Sequence, residues 1–126
     1  MRIKIDRSDK YFSLCVRESA NNTCERCGNQ GGGLQNSHYF GRANEATRHS
    51  LENCMCLCYG CHVIWGSTDR EGYRDAMIKK LGEKGFKVLR VLASSYKKKD
   101  RKMEAIIWRE YYKDLCEKKG VTPKKL

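Results

Sequence analysis

The chain contains two pairs of cysteines whose spacing suits metal binding. Each pair has the form CxxC, and the four residues are Cys24, Cys27, Cys58 and Cys61. This spacing allows two thiolates from one tight turn to bind the same ion, and two such pairs complete a tetrahedral zinc site. We therefore expect a structural zinc ion (Zn²⁺) bound by these four cysteines.

Four further cysteines have no such spacing. Cys15 and Cys116 lie in segments with helical periodicity, where we expect buried thiols. We expect Cys54 and Cys56 to be small core residues. An alternative is a shifted set of zinc ligands that uses Cys56 together with Cys58.

Two histidines and an asparagine lie near the cysteine pairs in an order that suits phosphodiester hydrolysis. The order is His38, Asn53 and His62, the last directly after the final cysteine. A histidine that titrates near neutral pH can deprotonate water, and a divalent ion can stabilise the crowded phosphate anion and the leaving oxygen. Taken singly, His38 also fits an ordinary strand histidine, and His62 fits a zinc ligand.

This arrangement resembles the HNH, or His-Me finger, endonuclease family. In that family a strand, a loop, a second strand and a helix form a ββα-metal site, often beside two CxxC pairs. The resemblance covers residues 24–62, with Asn53 ahead of the LCYGCH segment at the family's offset. It implies that His38 is the base that activates water, that Asn53 positions this base, and that His62 binds a catalytic Mg²⁺ or Mn²⁺ ion.

A looser resemblance extends over more of the chain. The helix ahead of CERCG and the HYFGR segment at residues 38–42 are similar to small phage-type HNH proteins of the NinG recombination group. This similarity implies a phage or mobile-element setting, with DNA, duplex or branched, as the partner.

The chain departs from the family pattern at one position. Many HNH proteins have an aspartate directly before the first histidine as a second metal ligand, whereas this chain has Ser37, a weak ligand for a hard cation. Asn36, Asn44 and Glu45 are alternative oxygen donors, and the sequence does not choose among them.

Positive charge favours a polyanionic partner. The chain has 26 Lys and Arg against 15 Asp and Glu, a net charge of +11. Arg42 and Arg48, in the loop after His38, are candidates to bind the substrate phosphate. Residues 96–126 carry 11 basic and 5 acidic residues, and the candidates for contact with the DNA backbone there are Lys97, Lys98, Lys99 and Arg101.

The elements that hold the candidate site follow from apolar spacing. Residues 8–20 predict a helix that buries Phe12, Cys15, Val16 and Ser19 and leads into the first CxxC pair. Residues 34–40 predict a strand, and residues 53–58 predict a second strand with Met55 and Leu57 on one face. The second CxxC pair then opens a short helix that closes or bends at Gly66.

The C-terminal half is predicted to be helical. Thr68 to Glu71 fit a capping box before a helix that ends at Gly82, and a second helical segment follows to about residue 93. The inward positions of these segments are Tyr73, Ala76, Met77, Leu81, Phe86, Leu89, Leu92 and Ala93. Residues 100–119 predict a longer helix that buries Met103, Ile106, Ile107, Tyr111 and Leu115 and ends before Gly120.

We therefore predict an α+β protein of one domain over residues 1–126. Residues 1–20 form an N-terminal helix, residues 21–66 a zinc-stabilised ββα-metal finger, and residues 67–126 a basic helical extension. No run approaches the roughly 20 apolar residues of a membrane span, and the charged N-terminus lacks the apolar stretch of a signal peptide. A cytoplasmic location, with no membrane partner, is the expectation.

The predicted function is a metal-dependent DNA endonuclease with an HNH site. The main alternative is a non-catalytic zinc-finger module that binds nucleic acid, in which Ser37 marks a lost catalytic metal site. A zinc adaptor for protein interactions is the third candidate.

Overall fold

The computed structural model describes residues 3–126 and has an α+β fold that is mostly helical. Helices α1 to α4 span Arg7–Ser19, Tyr59–Val63, Arg70–Ala93 and Arg101–Lys119. Strands β1 and β2 span Gln35–His38 and Cys54–Leu57 and form a small antiparallel sheet. A 3₁₀ helix at Leu51–Asn53 leads into β2, and a π-helical turn at Ile64–Thr68 follows α2. In the described part of the chain, no helix combines the length and the apolar character that a membrane span needs.

Helix α1 agrees closely with the predicted segment. It begins after Asp6, which forms a capping box with Asp9, because each carboxylate accepts a hydrogen bond from the other residue's backbone N–H. The chain leaves the helix through Asn21 and Asn22, both with positive φ angles, a conformation that asparagine tolerates. Phe12 is buried as predicted, whereas Ser19 is exposed.

The sheet lies between two layers of helix. Residues that face each other on the two strands share a side of the sheet, so Ser37 and Met55 point to one side and His38 and Cys54 to the other. Both sides of β2 are buried, since Met55 and Leu57 pack against α3 whereas Cys54 and Cys56 pack against α1. The alternation predicted for this strand is confirmed, although β1 is shorter than the predicted 34–40.

Helix α3 covers the Met55 and Leu57 side with residues predicted to face inward. Tyr73, Met77, Phe86 and Leu89 are buried there. The predicted capping box was misplaced by one residue, because Asp69 is the N-cap and accepts a hydrogen bond from the Gly72 N–H at 2.9 Å. The predicted stop at Gly82 is a break within α3, where φ is +79°, a conformation that favours glycine.

Helix α4 has the predicted bounds but a different buried face. It begins after the N-cap Asp100 and ends at Gly120, which adopts the left-handed conformation. Trp108, Tyr112 and Cys116 face α1. Of the five residues predicted to be buried, Leu115 is half-buried. The other four are about half exposed, and they are Met103, Ile106, Ile107 and Tyr111.

Ion pairs near the start of α4 explain the rotation. Glu104 contacts His49, and Arg101 contacts Glu45, so these two polar residues face the body of the protein. Trp108 and Tyr112 follow Glu104 at helical spacing and therefore face the same way. A prediction from apolar periodicity alone placed the wrong stripe inward because it took no account of buried charge.

A buried carboxylate joins α1, the loop before β2 and α4. The Asp9 side chain is only 5% exposed, and its Oδ1 accepts hydrogen bonds from Arg48 Nε at 2.8 Å and from His49 Nε2 at 3.1 Å. The other ring nitrogen of His49 lies 2.8 Å from Glu104 Oε1 on α4. Although burial alone would raise it, the hydrogen bonds from Arg48 and His49 hold the pKa of Asp9 well below its usual range.

Replacement of Asp9 by asparagine is expected to lower the free energy of unfolding by about 3 kcal/mol or more, because Arg48 would stay buried without its counter-charge. Urea unfolding at neutral pH measures the loss. Asp75→Asn, which removes a charge from an exposed position of α3, is the matched control and should change stability by less than about 0.5 kcal/mol. Equal effects of the two substitutions would show that the buried pair does not stabilise the fold.

Candidate metal centre and histidine cleft

The two CxxC pairs meet in space and can bind a metal ion such as zinc. The sulfur atoms of Cys24, Cys27, Cys58 and Cys61 all lie within 4.8 Å of one another. Cys27 Sγ and Cys58 Sγ are 3.8 Å apart, which equals the edge of about 3.8 Å expected for a tetrahedron with Zn–S bonds of about 2.3 Å. The first pair lies in the turn after α1, and the second spans the start of α2.

Hydrogen-bond donors lie beside two of the four sulfur atoms. The Cys27 backbone N–H points at Cys24 Sγ, and the Arg26 guanidinium donates to Cys61 Sγ at 3.3 Å. Burial alone would raise the pKa of the Cys24 thiol, but backbone N–H donors, that of Cys27 first among them, lower it to about 6. Burial outweighs the Arg26 hydrogen bond and raises the pKa of Cys61 to about 12, so an ion that binds the deprotonated sulfur would supply the charge that this thiolate needs.

The other cysteines lie apart from this cluster. Cys54 and Cys56 are on the opposite side of β2, against Phe12 and Val16, so the alternative ligand set that pairs Cys56 with Cys58 is not the one formed. Burial raises the pKa of Cys56 to about 11, and it also raises that of Cys54. Cys15 and Cys116 are buried between α1 and α4, as expected for core thiols.

His38 and His62 are placed by different elements and share one neighbouring cation. His38 ends β1, and its Nε2 lies 2.9 Å from the backbone carbonyl oxygen of Arg48. His62 lies on α2, and its Nδ1 lies 2.6 Å from Gln35 Oε1. Besides burial, the positive charge of Arg42 lowers the pKa of both imidazoles.

Asn53 is fully buried and holds the loop between the strands. Its Oδ1 accepts a hydrogen bond from the Phe40 N–H at 2.9 Å, and its Nδ2 donates to the carbonyl oxygens of Phe40 and Thr47. Thr47 directly precedes Arg48, whose carbonyl contacts His38. Asn53 therefore acts on His38 indirectly, by fixing the loop that carries this carbonyl.

His38 is neutral over the physiological pH range. Burial disfavours the imidazolium and lowers the pKa of His38 to about 4, while the hydrogen bond to the Arg48 carbonyl opposes this effect. A carbonyl oxygen only accepts hydrogen bonds, so Nε2 carries the proton. Nδ1 of the neutral ring therefore holds a lone pair, which a general base requires.

The two arginine candidates differ in their surroundings. Arg48 is buried and bound to Asp9, so contact with a substrate phosphate would break an internal ion pair; the structure gives it a role in the fold instead. Arg42 lines a shallow open cleft together with His62, Gln35 and Asn36. Of the two, only Arg42 has a position suited to binding a phosphate.

The structure also separates the candidate oxygen donors. Ser37 is buried, and its hydroxyl lies 2.9 Å from the Tyr73 hydroxyl, on the α3 side of the sheet. Asn44 Nδ2 donates to the Ala93 carbonyl, and Glu45 pairs with Arg101. Asn36 alone among the three alternatives lines the cleft beside His62.

The basic candidates near α4 form two groups. Lys97 and Lys98 are exposed, as contact with a DNA backbone requires. Arg101 instead pairs with Glu45, and the Lys99 ammonium lies 4.0 Å from Glu104. Arg101 and Lys99 thus have acidic partners within the protein, whereas Lys97 and Lys98 are the candidates that stay exposed.

Two cleft residues were not found from the sequence. Gln35 was not predicted as a site residue, because the HNH sequence pattern gives no role to an amide two residues before Ser37. Arg17 lies in the last turn of α1 and reaches the cleft only because α1 packs across the sheet. The spacing of residues along the chain therefore predicts neither Gln35 nor Arg17 as part of the cleft.

Comparisons with protein-family models, curated proteins and solved structures find no match to this chain.

We expect purified protein to bind one zinc ion per chain, and Cys58→Ser to lose it, because three thiolates leave the tetrahedral site incomplete. Colorimetric release of zinc measures the stoichiometry, and Co²⁺ substitution reports tetrahedral thiolate ligation. Cys116→Ala, which removes a buried thiol outside the cluster, should retain one ion. Full occupancy in Cys58→Ser would exclude the four-cysteine site.

The ring of His38 is expected to stay neutral from pH 8 down to about pH 5, since its pKa is about 4. NMR titration of the histidine ring protons measures this, with the His38 signal assigned by its absence from His38→Ala. Titration of the same residue in urea, where an exposed imidazole has a pKa near 6.5, is the reference. A midpoint near 6.5 in the folded protein would contradict burial of the ring.

Proposed function

We propose that this protein is a metal-dependent endonuclease that hydrolyses phosphodiester bonds in DNA through an HNH-type site. The observation that carries the proposal is the neutral His38 with its Nε2 bound to the Arg48 carbonyl, in a loop held by the buried Asn53. These contacts leave Nδ1 of the neutral His38 ring unprotonated, which supports a role as base. The HNH resemblance gives His38 the role of base and Asn53 that of the positioning residue.

The proposed reaction uses the chain's own groups as follows. Nδ1 of His38 takes a proton from water as the water oxygen attacks phosphorus in line with the leaving oxygen. Arg42 binds a non-bridging phosphate oxygen and offsets the negative charge that develops on the phosphate. The phosphorus–oxygen bond to the leaving group breaks, and this oxygen takes a proton from solvent.

A neutral oxygen donor lines the cleft beside His62 and would serve as a second ligand to a divalent cation. Asn36 is about nine-tenths buried, and its Oδ1 has no hydrogen-bond partner in the described part of the protein. Together with the His62 imidazole, this oxygen would hold Mg²⁺ or Mn²⁺ where the usual aspartate is replaced by Ser37. When bound, such an ion supplies charge stabilisation for the phosphorane-like transition state.

The remaining features support nucleic acid as the partner. The net charge of +11 favours a polyanion, and Lys97 and Lys98 are exposed for contact with a phosphate backbone. Zinc bound by the four cysteines would hold the turn after α1 against the start of α2. By resemblance, we propose a phage or mobile-element setting in the cytoplasm, with duplex or branched DNA as substrate.

A second candidate is a zinc-containing module that binds nucleic acid without cleaving it. The observation that favours it is the loss of the usual aspartate, since Ser37 points away from the cleft and contacts Tyr73. None of the described residues that line the cleft carries a carboxylate, so a cation there would lack a charged protein ligand.

Nicking of supercoiled plasmid and cleavage of a branched oligonucleotide junction distinguish the two candidates. Zinc-loaded protein with added Mg²⁺ or Mn²⁺ should cleave at least one substrate, and His38→Ala should lower the rate by about 100-fold or more. Gln30→Ala, at an exposed loop position, is the control and should retain full activity. Zinc content and far-UV circular dichroism verify that the variants fold.

Binding without cleavage under each metal would favour the non-catalytic module. Cleavage that persists in His38→Ala would contradict the assignment of the base.

A further inference from the structure

The cleft beside His62 is lined by cationic and neutral polar groups from three parts of the chain. Its lining comes from α1, from the segment that includes β1 and the loop after it, and from α2: Ser13, Arg17, Leu34, Gln35, Asn36, Arg42 and His62. In the described part of the protein this lining includes two guanidinium groups and no carboxylate. Such a composition suits an anion with several oxygens.

The two guanidiniums that line the cleft have no carboxylate partner in the described structure. Within residues 3–126, neither Arg17 nor Arg42 forms an ion pair, whereas Arg48 and Arg101 both bind carboxylates. Arg17 Nε donates to the Ser13 carbonyl at 3.3 Å, a contact that orients the side chain and engages only one of its five N–H groups. Arg42 Nε is buried and has no hydrogen-bond acceptor among the described atoms.

A buried donor without an acceptor is costly, and an anion in the cleft would satisfy it. A phosphate group suits the pair, because a guanidinium binds phosphate through two parallel N–H···O bonds. Two arginines that line the same cleft can each use a different pair of oxygens. Lysine, with its single ammonium, would not reproduce this geometry.

We propose that Arg17 and Arg42 together bind one phosphate of the nucleic-acid backbone beside His62. This inference rests on the proposed function for the identity of its ligand and adds Arg17 of α1 to the substrate-binding residues. Helix α1 then has two roles, since one face packs against the sheet and its last turn contacts the substrate. Arg17 determines where the backbone lies relative to His62.

Salt-dependent binding of a labelled duplex tests the proposal without need for cleavage. Fluorescence anisotropy of a 20-base-pair fluorescein-labelled duplex is measured with zinc-loaded protein and no added Mg²⁺ or Mn²⁺. Loss of one phosphate contact lowers the slope of log affinity against log salt concentration by about 0.9. Arg17→Ala and Arg42→Ala should each show this decrease and a loss of affinity of about tenfold.

The double variant tests whether the two residues share one phosphate. If they do, the slope of Arg17→Ala/Arg42→Ala falls by the same 0.9 as in each single variant. A decrease of about 1.8 would mean two separate phosphates and would overturn the shared site. Arg17→Lys keeps the positive charge but loses the two parallel N–H donors of the guanidinium. Its salt slope should therefore equal that of the unmodified protein, whereas its affinity should recover only in part.

Arg90→Ala is the matched control, because it removes one arginine from an exposed position on α3. Its slope and affinity should stay close to those of the unmodified protein, and an Arg17→Ala variant that behaves like it would overturn the proposal. Thermal melting verifies that α1 remains folded.

Vesicles that contain phosphatidic acid and excess inorganic phosphate serve as competitors. Arg17-dependent binding to vesicles in the absence of duplex binding would also overturn the proposal.

The cleavage assay separates this inference from the proposed function. Arg17-dependent duplex binding by a protein that cleaves no substrate would support the phosphate site and contradict the endonuclease. Cleavage that depends on His38 but not on Arg17 would support the endonuclease and contradict the phosphate site.

Discussion

The carboxylate of Asp9 is the interaction on which the arrangement of the candidate site depends. It binds Arg48 and His49 in the protein interior, and His49 in turn contacts Glu104 on α4. These contacts join the first helix, the loop between the strands and the last helix around one buried charge. Because a buried carboxylate is costly without its partners, the loop has little freedom to leave this position. The Arg48 carbonyl that orients His38 belongs to this same loop.

Two further constraints complete the site from other directions. The Asn53 side chain bonds to Phe40 and Thr47 and so holds both ends of the loop against the sheet. The four cysteines bring the turn after α1 to the start of α2, and His62 follows the last of them directly. The position of each histidine is thus determined by groups that do not themselves take part in the proposed chemistry. Such support is what a preorganised site requires.

The cleft illustrates how the proposed binding and the fold use the same helix. Phe12 and Val16 of α1 pack on the Cys54 and Cys56 side of β2, and this packing carries Arg17 to the edge of the sheet near Arg42. Arg48 and Arg101 stabilise the fold through carboxylates, whereas Arg17 and Arg42 in the cleft form no ion pair in the described structure. Composition alone does not separate these two kinds of surroundings.

The helices, the strands and the cysteine site follow from local features of the sequence. CxxC spacing is local, and capping residues and glycines act on their neighbours, so the helices, the two strands and the break at Gly82 could be predicted within one or a few residues. The alternation of side chains in β2 could also be predicted, because side chains in a strand alternate strictly between its two faces.

Contacts between groups far apart in the chain depend on how the helices and the sheet pack together. The buried face of α4, the pairing of Arg48 with Asp9 and the turn of Ser37 toward Tyr73 all depend on partners far away in sequence. Apolar periodicity misplaced the α4 face because partly buried ion pairs at Arg101 and Glu104 turn these polar residues toward the body of the protein. Arg17 joined the cleft for the same reason, since the docking of whole helices, rather than local spacing, brings distant charges together.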